Sequence, residues 1–168
     1  MPLNTLGEVG IDMKSKPTKH YVYKITCNYP NKCFGFIYFG RSQSMTPKDN
    51  PYMGSGTLLK YYQKRFGMEY FSKEVIRIFA KIEDAIHLES KIVNERFIGR
   101  ADNFNVGLGG VRGSTVQAHP IKQRILQYLV DQVEAKKRKQ KTWEYRRDME
   151  IAMTDLYLNN VIGADIWD

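Results

Sequence analysis

The stretch from His20 to Phe39 constrains the fold more than any other part of this chain. His20-Tyr21-Val22-Tyr23-Lys24-Ile25-Thr26 is β-branched and aromatic, and Asn28-Tyr29-Pro30-Asn31-Lys32 supplies turn chemistry. Phe34-Gly35-Phe36-Ile37-Tyr38-Phe39 then resumes as strand, so the whole reads as a β-hairpin. Phe71 to Phe79 alternates as a third strand would. Between these runs lies a polar loop after Gly40, with Pro47 and Pro51 and ending in Met53-Gly54-Ser55-Gly56. A helix is expected from about Ser55, carrying Leu58, Leu59, Tyr62 and Phe66 and stopping at Gly67.

Residues 1–19 are polar and broken by Gly and Pro, and read as a flexible leader. Residues 20–113 read as the folded domain, with a helix over Glu83–Phe97 and a glycine-rich loop over Asn103–Gly113. Residues 114–168 read as a helical, basic appendage. Pro120 suits a first helical turn, and Ile121, Ile125, Tyr128, Leu129 and Val133 recur at helical spacing. The run Lys136-Lys137-Arg138-Lys139-Gln140-Lys141 follows, then a second helical stretch with Met149, Ala152, Met153 and Leu156.

The net charge of +8 favours a polyanionic partner such as nucleic acid, or an acidic membrane face. No apolar run approaches bilayer-spanning length, and Met1 to Lys19 lacks the apolar core of a secretory signal. The expectation is a cytoplasmic protein with reduced cysteines. Residues 111–168 hold ten Lys/Arg against eight Asp/Glu, so six of the eight excess positive charges lie on residues 1–110. A structural zinc site wants four ligands. Cys27 and Cys33 have no second pair, and His20, His87 and His119 are scattered, so the cysteines read as small apolar side chains near the hairpin.

One side chain is out of place. On a helical wheel Ile82, Ala85, Ile86, Leu88, Ile92, Val93 and Phe97 form an apolar arc, with Glu89 near its middle and Arg96 beside it. A buried carboxylate must be neutralised, paired or bound to a cation. Either Glu89 pairs internally, with Arg96 or a strand residue, or it serves a function; the spacing alone leaves both open. The strand tyrosines Tyr21, Tyr23 and Tyr38 are equally ambiguous, since cross-strand packing accounts for them. Tyrosine acts as a base only where a cation lowers its pKa from about 10.

Order and spacing add a resemblance. Tyr21-Val22-Tyr23, Tyr38-Phe39-Gly40, a helix-borne Glu89 and Phe104-Asn105 resemble the GIY-YIG nuclease pattern, most closely that of phage free-standing homing endonucleases. Further matching elements are Tyr52-Met53-Gly54-Ser55-Gly56-Thr57-Leu58-Leu59, Lys64-Arg65-Phe66-Gly67, Glu89 to Glu95, and Asn105 to Gly110. The resemblance spans about residues 20–113 and implies an α/β (α+β) fold: a small three-stranded antiparallel sheet flanked by helices. It also implies a metal-dependent DNA endonuclease in a bacterial host's cytoplasm. Tyr23 and Tyr38 would help deprotonate the attacking water, and Glu89 would bind one Mg²⁺ (or Mn²⁺). Asn105 would be required near the domain's end.

Such a metal is commonly held by one carboxylate plus water and substrate oxygens. It acts as Lewis acid in displacement at phosphorus, while cations stabilise the developing charge. The chain departs from the pattern in two places. The small first residue of the first motif is absent, and the arginine usual in the helix after the second motif is missing, the segment Ser42 to Asn50 being expected as loop. Arg41 is the nearest candidate for the phosphate-contacting cation, with Arg65 or Lys60 as fallback. Lys136, Lys137, Arg138 and Lys139 read either as a solvated helix face or as phosphate contacts, and Trp143 and Tyr145 either as docking residues or as base-stacking ones. The competing readings are a catalytically weak nucleic-acid-binding module of the same fold, and an RNA or repair nuclease on the same core.

Overall fold

The computed structural model describes residues 17–110, 118–137, 147 and 150–154. Three strands form one antiparallel sheet in the order β2-β1-β3, where β1 is Lys19–Cys27, β2 is Ile37–Ser44 and β3 is Phe71–Phe79. Among the described residues α1 (Thr57–Phe66), α2 (Ile82–Ile92), α3 (Glu95–Ile98) and α4 (Pro120–Lys137) flank it. Short 3₁₀ turns at Pro47–Asp49 and Met68–Tyr70 complete the connections.

β1 is the central strand, and both of its faces are covered. Its residues Tyr21, Tyr23, Ile25 and Cys27 join one core cluster with Leu58, Leu59 and Tyr62 of α1, Ile121 and Ile125 of α4, and Phe36, Phe71 and Phe104. Side chains alternate across a strand, so Val22 points the opposite way, and it too is fully buried. α2 packs over β1 and β2. Cys27 and Cys33 are buried free thiols, as expected of small apolar side chains at the hairpin. α4 shares the sheet's core although it lies beyond residue 113.

Three local differences from the sequence reading have physical reasons. Phe34–Phe36 belongs to the hairpin loop, which turns through left-handed Asn31, Cys33 and Gly35. β2 in turn runs on through Arg41–Ser44, where a polar loop was expected, with Val22 opposite Arg41 and Tyr21 opposite Ser42. An edge strand tolerates polar residues on its solvent side, so its sequence resembles a loop. The helix expected over Glu83–Phe97 breaks at Val93–Asn94. Asn94 caps α3 by accepting from the Phe97 amide at 3.0 Å, and donates back to the Lys91 carbonyl at 3.0 Å. Capping of that kind opens a new helix.

The leader up to residue 16, Arg138, Lys139, Trp143 and Tyr145 lie outside the described residues. Of the second helical stretch, residues 150–154 are helical.

Candidate active site

The register of β1 and β2 distributes the candidate residues over both sides of the sheet's edge. Tyr23 stands opposite Gly40 and Ile25 opposite Tyr38, whereas Val22 stands opposite Arg41. Paired residues point to the same face. Tyr23 and Tyr38 therefore face the α1 side and Arg41 the α2 side, where Glu89 is. The edge strand is where the two sets meet.

On the α1 side three tyrosine rings converge. Tyr23 lies 6.3 Å from Tyr38 and 6.0 Å from Tyr52 between ring centroids, the latter edge-on. Glycines make the room. A Cβ on Gly40 would stand 2.5 Å from the Tyr23 hydroxyl oxygen, and one on Gly56 2.7 Å from the Tyr38 ring. Gly54 adopts φ +92, and its Cβ would meet Leu59 at 2.6 Å, so the Gly-Ser-Gly segment serves both backbone shape and close approach. Burial raises the Tyr23 hydroxyl's pKa, with Tyr38 and Tyr52 adding to it. Burial also raises that of Tyr38, helped by Tyr52 and the Glu89 carboxylate and opposed by hydrogen bonds from Ser55 and Tyr23. In the resting protein both tyrosines hold their protons firmly, and a base role requires a cation beside them.

On the α2 side the Glu89 carboxylate is 15% exposed and its Oε2 accepts from Arg41 Nε at 2.9 Å. The Gly110 amide donates to the same oxygen at 3.1 Å. Glu89 Oε1 has no hydrogen-bond partner among the described residues. Gly109 passes so close to α2 that a Cβ would lie 2.5 Å from the Glu89 carbonyl oxygen, which explains the paired glycines after Asn105. The internal partner of Glu89 is thus the strand residue Arg41, 35% exposed; Arg96 is exposed.

Asn105 is almost fully buried and binds the outer edge of β2. Its Oδ1 accepts from the Phe39 amide at 2.9 Å, and its Nδ2 donates to the Phe39 carbonyl at 2.8 Å. The side chain thereby substitutes for a missing neighbour strand. It grips the residue between Tyr38 and Gly40 through both ends of its amide.

Lys60, Arg65 and Lys136 lie elsewhere. With Lys64, Tyr61 and Glu150 they line a groove of about 480 Å³ between α1 and α4. Arg65 is held there by Glu150 at 2.6 Å and by the Tyr61 hydroxyl at 3.3 Å. Among the described residues, no ion pair or hydrogen bond joins these three cations to Glu89. Lys137 ends α4.

Sequence reasoning assigned no role to Tyr52, Ser55 or the buried Lys122. The first two stood inside a quoted motif. Lys122 carried the same signal as Glu89, a charge bordering an apolar helical face. Among the described residues there is no cluster of three or more His, Cys, Asp or Glu able to hold a metal, and no helix long and apolar enough to cross a membrane.

No protein-family model matches the chain, and no solved structure matches it. It is similar to proteins of Enterobacteria phage T4. It is 44% identical to "Putative endonuclease segB" over 94 residues, 56% of this chain and 40% of that protein. It is 37% identical to "Putative endonuclease segD" over 101 residues, 60% of this chain and 43% of that protein. With "Endonuclease segA" it shares 29% identity over 97 residues, 58% of this chain and 42% of that protein. The matched stretch thus spans less than half the length of these curated relatives.

Proposed function

We propose that this chain hydrolyses DNA phosphodiester bonds as a metal-dependent endonuclease of the GIY-YIG type, of phage homing or DNA-degrading character. The observation that carries the reading is the 2.9 Å pairing of the helix-borne Glu89 with Arg41, which stands on the edge strand three residues after Tyr38 and 48 residues before Glu89. The similarity to proteins named as endonucleases supports the same reaction class.

The donor set fits a hard divalent ion such as Mg²⁺ or Mn²⁺. Glu89 offers a partly exposed carboxylate with Oε1 unused among the described residues. One carboxylate with water and phosphate oxygens is an ordinary Mg²⁺ environment. When bound, the ion supplies Lewis acidity and charge neutralisation at the phosphate.

The chain's own residues do the rest. Arg41 neutralises Glu89 in the resting state, and with a divalent ion on that carboxylate it would be free to contact the substrate phosphate. A guanidinium suits a phosphate's oxygens. There it stabilises the charge that develops as the bond to the leaving oxygen breaks. With a divalent ion held by Glu89 offsetting that carboxylate's share in raising its pKa, Tyr38 could lose its proton to solvent and, as the phenolate, take one from the attacking water. Tyr23, with its own proton held, orients Tyr38 by ring packing, the centroids lying 6.3 Å apart. Lys60, Lys64 and Lys136 carry the flanking backbone of the duplex along the α1–α4 groove.

Incubation with supercoiled plasmid and Mg²⁺, with Glu89→Ala alongside, tests this. Nicking or linearisation by the wild type that disappears in the variant is expected. Equal cutting by both removes Glu89 from the chemistry. Salt-sensitive binding without any cutting replaces the nuclease with a binding module.

A further inference from the structure

Lys122 lies in the first turn of α4 and is 0% exposed. Its ammonium donates to the Ile98 carbonyl at 3.1 Å, to Asn103 Oδ1 at 2.7 Å and to the Asn105 carbonyl at 2.8 Å. Three donors meet three acceptors, which is the full capacity of the group. A buried amine without them would be very costly, so the cage and the lysine require each other.

All three acceptors belong to the segment leading from α3 to Asn105. Within it Asn103 Oδ1 also accepts from the Asn105 amide at 3.2 Å, and Asn103 Nδ2 donates to the Phe97 carbonyl at 2.8 Å. The Phe104 amide donates to the Ile37 carbonyl at 2.9 Å, and Ile37 bridges to Asn103 in parallel fashion. The segment therefore lies along the open edge of β2 as a short extra rung, ending with the Asn105 side chain on both backbone groups of Phe39.

We propose that Lys122 is a positioning residue for the active site: its ammonium locks residues 103–105 against the edge of β2, and Asn105 transmits that constraint to Tyr38 and Gly40. α4 is then part of the catalytic unit. Lys122 touches no reacting atom and acts through Asn105 alone. The turnover arm of its test rests on the nuclease reading; the structural arm does not.

Hydrogen exchange at the Phe39 amide and steady-state cleavage of plasmid are measured on wild type, Lys122→Met and a core control of similar stability loss, Ile125→Ala. Lys122→Gln, which keeps two donors on a shorter stem, replaces Lys122→Met should that chain not fold. Expected in the lysine variant is exchange at Phe39 faster by about tenfold relative to Ile25 of β1. Its kcat should fall by about 10²-fold, with KM held within about threefold. The control should show neither change. The proposal is overturned if Phe39 loses protection only in step with Ile25, or if kcat falls no further than in Ile125→Ala. If the wild type cuts no DNA, the nuclease reading fails and the exchange measurement alone decides the role of Lys122.

Discussion

Two charged side chains near the edge of β2 are held in opposite ways. Lys122 is buried completely and donates to three fixed, neutral acceptors. Arg41 is 35% exposed and shares a single ion pair with Glu89. Burial makes the first arrangement rigid, because any movement leaves unsatisfied groups away from water. The second can open at little cost, because exposed pairs contribute only about 0–1 kcal/mol. On the proposed function, the charge that holds a shape is caged and the charge that changes partners is left near the surface.

The comparison is open to measurement, first through stability. Lys122→Met removes three hydrogen bonds and leaves their acceptors buried, and should cost about 2 kcal/mol in denaturant unfolding. A loss within experimental error would put the cage on a par with the surface pair.

The pH dependence sharpens the contrast. Burial, reinforced by Arg100 and opposed by Asp102, lowers the pKa of Lys122 to about 7, and His119 faces it. In the unfolded chain the amine keeps its proton to about 10.4. Between those values the unfolded state binds more protons, so stability should rise with pH above about 7, by up to about 1.4 kcal/mol per unit. Below 7 the penalty for charging the buried amine is fully present. Above about 8.5 the buried thiols Cys27 and Cys33, whose pKa values are raised in the fold, ionise more readily once unfolded and reverse the trend. Chemical unfolding of wild type and Lys122→Met at pH 7 and 8.5 isolates the lysine; equal slopes would contradict it.

The smallest stability effect belongs to the exposed pair. Arg41→Gln should change unfolding free energy by less than about 1 kcal/mol, while DNA cleavage falls by about 10²-fold. A large stability loss with normal cleavage would make Arg41 a structural residue.

Much of this was legible in the sequence. The hairpin, the third strand and α1 follow from alternation, turn residues and a terminal glycine. Glu89 stood out because it interrupts an apolar helical face, though its partner could be narrowed only to Arg96 or a strand residue. The wheel carried that face past Asn94, because a cap inside a periodic run leaves the period almost intact. β2 beyond Gly40 was hidden because Arg41, Ser42, Gln43 and Ser44 are all polar, so neither face shows the apolar alternation that marks a strand. The partners of Asn105 were invisible for a different reason: they are backbone atoms of Phe39, 66 residues away, and backbone groups leave no mark on composition. Lys122 was readable by the rule applied to Glu89, yet a lysine beside other basic residues invites a surface interpretation.

The most direct measurement is Mg²⁺-dependent plasmid cleavage by Glu89→Gln, taken at a temperature where its unfolding curve overlays the wild type's. The amide keeps the shape of the side chain and removes its charge. Expected is a fall in cleavage rate of at least about 10³-fold with stability changed by less than about 1 kcal/mol. Cleavage at the wild-type rate by this folded variant would contradict a catalytic site built on Glu89.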